Sequence, residues 1–182
     1  MLSESEVTLI AAIRNPQRKL HWLSSRFLLR TMMQTDQFIH LESDSNGKPV
    51  IHNFPVYISI SHSSDLSALL ISSRMQVGID IEKIDPKIFR IEHKFLRAEE
   101  KENLAGSSNK LEQLYVVWCA KEAMYKLYGQ KQLDFRLNLF VSSFQYVGSG
   151  TVMGRIKKDG YENELTVHFE KLNDYMMAYV VQ

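Results

Sequence analysis

The sequence predicts an α+β fold built from two halves, and three observations support that prediction. Segments alternating apolar and polar residues at a period of two, the mark of strands, occur both before and after a helical middle. The chain opens with a Gly-free stretch in which apolar residues recur at helical spacing. Turn-forming and helix-breaking residues fall at the joins between these segments. Strands on either side of helices imply two antiparallel sheets, each with a helix: an N-terminal half over residues 1–74 and a C-terminal half over 75–182. No internal repeat accompanies them.

Taken in order, the stretch from Glu4 to Thr35 reads as helix, with Pro16 placed to open a second one and Leu20, Leu23, Phe27, Leu28 and Met32 on its apolar spacing. Arg18, Lys19, Arg26 and Arg30 decorate that helix. Asp44 to Pro49 is a turn-rich stretch that separates helix from strand. Strands are expected over Tyr57 to Ile60, Leu66 to Ser72 and Gln76 to Glu82, after which Pro86 ends the run. Helices over Lys87 to Ala105 and Lys110 to Leu127 follow, split by Gly106-Ser-Ser-Asn109. Further strands are expected over Leu139 to Val147, Thr151 to Lys157, Glu164 to Glu170 and Tyr175 to Val181.

Composition narrows the function classes. A chain of 182 residues, 45% hydrophobic and 24% charged, suits one compact domain or two small halves sharing a core. A net charge of +1 gives no global attraction for nucleic acid or a membrane, so neither is expected as a partner. One cysteine, Cys119, precludes an intramolecular disulfide and any cysteine-cluster metal site. With no N-terminal apolar stretch of signal or spanning type, the cytoplasm is the expected setting.

Two segments carry the chemistry. In Val77 to Ile84, Val77, Ile79 and Ile81 alternate with Gly78, Asp80 and Glu82, the pattern of a strand with one buried face. Asp80 and Glu82 then share the other face, where they repel unless a cation separates them, and Gly78 leaves room for a ligand. In Trp118 to Lys126 no breaker interrupts a helix that Gly129 can stop, so Glu122 and Lys126 lie one turn apart. That pair alone is a common surface device worth ~0.2–0.5 kcal/mol. Combined with Asp80 and Glu82 it gives three carboxylates with lysines nearby, a donor set suited to Mg²⁺ and phosphate oxygens.

At these residues the chain resembles the 4′-phosphopantetheinyl transferases. Their signature is a G-[IV]-D-[IV]-E strand followed downstream by W-[ST]-x-K-E-[AS]-x-x-K, and here 42 residues separate Asp80 from Glu122. Gly47-Lys48-Pro49 and the Ser-His-Ser within Ile58 to Ser64 appear upstream in the family's order, so the resemblance spans residues 18–128. Cys119 departs from the usual Ser or Thr, which is read as a packing change.

The resemblance implies a holo-[acyl-carrier-protein] synthase type enzyme of fatty acid biosynthesis. Such an enzyme moves phosphopantetheine from coenzyme A to a serine of an apo acyl or peptidyl carrier protein and releases adenosine 3′,5′-bisphosphate. It further implies the family's compact monomeric branch, with two similar antiparallel-sheet-plus-helix halves about a pseudo-twofold axis. Asp80, Glu82 and Glu122 are the implied Mg²⁺ ligands, and Lys121 and Lys126 the implied pyrophosphate contacts. The proton acceptor is Glu122, directly or through a water, or alternatively a lysine held neutral. Ser61 and His62 carry over to the 3′-phosphate of coenzyme A, Lys48 and Pro49 to its adenine end, and Arg18, Arg26 and Arg30 as further basic contacts. The mixed basic and apolar segment from Lys87 to Ala98 is the expected carrier-docking surface.

Two other readings compete. A Mg²⁺-dependent pyrophosphate hydrolase could use the same residues, although the chain has no Gly-rich phosphate loop, HExxH or GxSxG pattern. A non-catalytic coenzyme A or nucleotide-binding module would keep the pocket without turnover.

Overall fold

The computed structural model describes residues 2–182. Helix α1 (Glu4–Ala12) starts on a capping box between Ser3 and Glu6, and α2 (Pro16–Met33) on Asn15, whose side chain accepts from the Arg18 N–H. Strands β1 (Leu41–Ser43) and β2 (Pro49–Ile51) form a hairpin. Strands β3 (Tyr57–Ser63) and β4 (Leu66–Ser72) form a second. Strand β5 (Val77–Lys83) leads into a 3-10 turn (Pro86–Arg90), then α3 (Glu92–Phe95), α4 (Ala98–Asn103) and the long α5 (Lys110–Tyr128). The chain finishes with β6 (Leu139–Val141), β7 (Ser149–Lys158), β8 (Tyr161–Leu172) and β9 (Tyr175–Val181).

The last four strands and β5 make one antiparallel sheet in the order β5-β9-β8-β7-β6. Helix α5 lies across it, and Leu114, Val116, Met124 and Leu127 meet Ile156, Val167, Met176 and Val180 in the main core. A smaller core of Leu29, Ile39, Ile51 and Ile58 joins α2, the first hairpin and β3. The α+β class and the antiparallel pairing are therefore as the pattern predicts.

Several elements differ from the expectation, each for a local reason. The helix expected over residues 87–105 is broken into a turn and two short helices, because Leu96 and Arg97 are extended (ψ 137 and 166). That break lets Phe95 and Leu96 both bury. The strand expected through Val147 stops at Val141, where the chain leaves the sheet and folds the rings of Phe144 and Tyr146 onto Phe169. The Asp44 to Pro49 turn is the tip of a hairpin rather than a plain spacer, closed by Asp44 Oδ1 accepting from Asn46 N and Lys48 N. Strand β3 runs on through Ser63, so Ser61 and His62 are strand residues.

The expectation that Gly78 leaves room for a ligand is overturned. A Cβ there would stand 2.0 Å from the Ala123 carbonyl oxygen and 2.8 Å from the Leu127 nitrogen, so the backbone of α5 occupies that space. Strand β5 is accordingly buried on both faces from Val77 to Ile81 rather than on one.

Candidate active site

The close approach of α5 to β5 builds the site. Asp80 is 3% exposed, and its Oδ1 accepts from Lys126 Nζ at 2.8 Å and from Ser61 Oγ at 2.7 Å. Lys126 Nζ also donates to the Ile79 carbonyl at 2.9 Å. Glu82, two residues on and on the same face, accepts from Ser63 Oγ at 2.7 Å. Burial pushes its pKa up, the Ser63 hydrogen bond works against this, and Asp80 adds to the rise. Glu122 faces the pair from α5, and its pKa is pushed up to about 7 by burial first and then by Asp80, with Lys126 opposing.

Three carboxylates thus crowd one lysine. Asp80 Oδ2 is buried and has no hydrogen-bond partner among the described residues. Among the described residues no three carboxylate, imidazole or thiol groups already form a closed cage for an ion. The donor set nonetheless fits a hard cation: an orphaned buried carboxylate oxygen beside two carboxylates with raised pKa is what a divalent ion would relieve.

This crowding has a consequence for stability. Glu122 holds a proton more tightly folded than unfolded, so its contribution is complete below its ordinary pKa of 4.5 and is lost as the pH rises through about 7. Glu122→Gln in EDTA-treated protein is expected to raise stability at pH 8 by about 1 kcal/mol, a figure reduced for solvent screening at a half-buried group. The gain should vanish in acid. Paired urea titrations at the two pH values check it, and equal midpoints at pH 8 would refute the crowding.

A cleft of about 730 Å³ beside this centre is lined by Arg18, His21, Trp22, Arg26, Pro49 and His62. Four of the residues expected to hold coenzyme A, namely Arg18, Arg26, Pro49 and His62, therefore share one cavity. His62 is exposed and stacks on His21, with ring centroids 4.6 Å apart, and burial, His21 and Lys126 lower its pKa. Arg26 is already engaged, paired to Glu6 at 3.1 Å with its guanidinium 3.4 Å from the Trp22 ring centre. A smaller recess of about 180 Å³, lined in part by Lys48, Pro49, Ser59 and Lys126, adjoins it at Pro49. Lys48 Nζ donates to Leu127 O at 2.9 Å, so it also satisfies a carbonyl at the end of α5.

Two expected ligand contacts are turned elsewhere. Lys121 is fully buried, and its Nζ donates to Phe95 O at 2.7 Å, Phe135 O at 2.9 Å and Glu100 Oε2 at 2.7 Å. Burial lowers its pKa to about 8 against the pull of Glu100. It braces the core and does not reach the carboxylates, because one residue before Glu122 is about a quarter-turn around the helix. The Ser61 hydroxyl is buried and occupied by Asp80 and by the Ile81 N–H at 3.3 Å, so it faces the carboxylates rather than the cleft. Cys119 is buried too, its thiol donating to Met176 O at 3.5 Å, with its pKa raised by burial.

Sequence reasoning missed His21, Trp22, Ser59, Ser63 and Glu100. The serines had a signal, their alternation at 59, 61 and 63, whereas nothing local marks the others.

Fold and site together define an α+β protein with a carboxylate-and-lysine centre between a strand and a helix. Residues 76–180 match the family model of the 4′-phosphopantetheinyl transferase superfamily, and the chain belongs to that superfamily. It is 32% identical over 117 residues to the 4′-phosphopantetheinyl transferase psf-1 of Bacillus pumilus, a match covering 63% of this chain and 49% of that protein. It is also 32% identical over 133 residues to the 4′-phosphopantetheinyl transferase AcpT of Salmonella typhi, covering 66% and 65%. To AcpT of Escherichia coli K12 it is 33% identical over 124 residues, covering 65% and 62%. The chain thus spans about half to two thirds of the length of these curated relatives. Among the described residues no helix is long and apolar enough to cross a membrane.

Proposed function

We propose that this chain transfers 4′-phosphopantetheine from coenzyme A to a serine of an apo acyl or peptidyl carrier protein. The observation that carries the reading is the convergence of Asp80, Glu82, Glu122 and Lys126 beside the cleft lined by Arg18 and His62. The carrier serine oxygen bonds to the phosphorus that bears pantetheine, the bond from that phosphorus to the bridging oxygen breaks, and adenosine 3′,5′-bisphosphate leaves. Glu122, which among the described residues no hydrogen bond ties down, takes the serine proton. Lys126 supplies fixed positive charge to the pyrophosphate oxygens, and His62, Arg18, Lys48 and Pro49 hold the 3′-phosphate and adenine end. Asp80, Glu82 and Glu122 would hold Mg²⁺, which when bound neutralises charge on the pyrophosphate.

On this reading residues 1–74 supply the coenzyme A side and 75–182 the metal and pyrophosphate side, as two halves about a pseudo-twofold axis. The protein works as a cytoplasmic monomer of the holo-[acyl-carrier-protein] synthase type in fatty acid biosynthesis.

Lys87, Arg90 and Lys94 are exposed beside the exposed Phe89, while Ile88 and Phe95 anchor the segment in the core. This supports docking of an acidic carrier there. Reversing Arg90 and Lys94 to Glu is expected to raise the carrier KM roughly tenfold and leave that for coenzyme A unchanged; steady-state kinetics decide, and an unchanged carrier KM removes the docking site.

Intact-mass spectrometry of an apo acyl carrier protein incubated with this protein, coenzyme A and Mg²⁺ tests the reading. A gain of one phosphopantetheine, absent with EDTA, is the expected result. No gain with coenzyme A intact would favour a binding module, and adenosine bisphosphate released without carrier modification would favour a hydrolase.

A further inference from the structure

Three serines at alternate positions of β3 take the place of a neighbouring strand's carbonyls. The hydroxyls of Ser59, Ser61 and Ser63 accept from the backbone N–H groups of Ile79, Ile81 and Lys83 at 3.0, 3.3 and 3.0 Å. Two residues along β3 match two along β5, so a one-residue slip of either strand would break all three contacts. The free edge of β5, whose other edge pairs with β9, is thereby joined to the β3–β4 hairpin through side chains.

The chemistry of the hydroxyl gives this arrangement a direction. A serine oxygen has one proton and two lone pairs. With a backbone N–H filling a lone pair, the proton is left to point away from β5's backbone. In Ser61 and Ser63 it points to a carboxylate, Asp80 Oδ1 and Glu82 Oε2, each at 2.7 Å. A hydroxyl committed in this way has no proton left for a phosphate. It does hold a carboxylate in one pose, so the rotamer freedom of that side chain is given up before any ligand arrives.

We infer that Ser63 is a positioning residue for the centre: its hydroxyl, aimed by the Lys83 N–H, holds the Glu82 carboxylate where it meets a divalent cation together with Asp80. Ser61 holds Asp80 in the same manner. The inference rests on the cation reading given under Proposed function and adds residues of β3 that touch neither the cation nor coenzyme A.

Ser63 is the one to change. Ser61→Ala would strand the buried Ile81 N–H, whereas Lys83 is exposed and its N–H can turn to water. The test compares wild type, Ser63→Ala and Ser63→Thr in two measurements: Mn²⁺ binding by electron paramagnetic resonance with coenzyme A present, and the Mg²⁺ dependence of transfer. Ser63→Ala is expected to weaken Mn²⁺ binding about tenfold and to raise the half-saturating Mg²⁺ by a like factor, with kcat at saturating Mg²⁺ within about twofold of wild type. Ser63→Thr, which keeps the hydroxyl, should restore both. Wild-type Mn²⁺ affinity in Ser63→Ala would overturn the inference, and so would a lower melting temperature without weaker Mn²⁺ binding, which would leave Ser63 only joining the two sheets. A wild-type protein that takes up no Mn²⁺ would overturn the cation reading and the inference with it, a result set apart from the other two because in those the wild type binds.

Discussion

Asp80→Ala is expected to lower kcat for phosphopantetheine transfer by at least about a thousandfold while the protein stays folded, the loss of roughly 4 kcal/mol of charge stabilisation. Asp80 is the hub of the centre: Lys126 and Ser61 converge on one of its oxygens and the other is buried without a partner. Its removal takes away a carboxylate proposed to hold the cation and the anchor of Lys126 together. The fold should survive, because the orphaned Oδ2 disappears with the carboxylate and Lys126 keeps the Ile79 carbonyl and some access to water. Intact-mass kinetics with circular dichroism read both quantities, and near-normal turnover in a folded variant would refute the assignment of Asp80.

Gly78→Ala should be the most destabilising of the glycine-to-alanine changes, by about 3 kcal/mol or more. The methyl would stand 2.0 Å from a backbone oxygen of α5 and 2.8 Å from a backbone nitrogen, so no side chain can swing aside. Either α5 lifts from β5 or the strand bends, and in both cases the helix that packs the main core is displaced. For a chain of this size the melting temperature should fall by roughly 10 °C. Activity should fall with it, since Glu122 and Lys126 ride on α5 while Asp80 and Glu82 ride on β5. Gly150→Ala is the control: its methyl meets only the Phe169 ring edge at 3.3 Å. A melting temperature for Gly78→Ala within about 2 °C of wild type would show that helix and strand are not locked together.

These results bear on what the sequence could reveal. The strand at Val77 and the helix ending at Gly129 were readable because each carries its own period and stop signal, and Asp80, Glu82, Glu122 and Lys126 follow from those periods. Contacts between elements were not readable. The need for glycine at position 78 comes from Ala123 and Leu127, more than forty residues away, and the Ser63 to Glu82 bond joins two strands that share no backbone ladder. The broken helix after Pro86 was missed because its apolar residues fit a continuous helix as well as two short ones. Only the burial of both Phe95 and Leu96 decides between them. Lys121 was drawn into the site by adjacency in a motif, although neighbouring helix positions point about 100° apart.

The buried brace that Lys121 forms with Glu100 means that the adjacent letters of one short motif answer to different constraints. Lys121 is bounded by the volume and acceptor geometry of a closed chamber, so arginine is excluded by size and methionine by the acidic partner it would abandon. Glu122 is bounded by its reach toward Asp80, Glu82 and Lys126, so aspartate fails by length alone. A change at the first position therefore disturbs how the interior is assembled, and a change at the second disturbs the carboxylate centre.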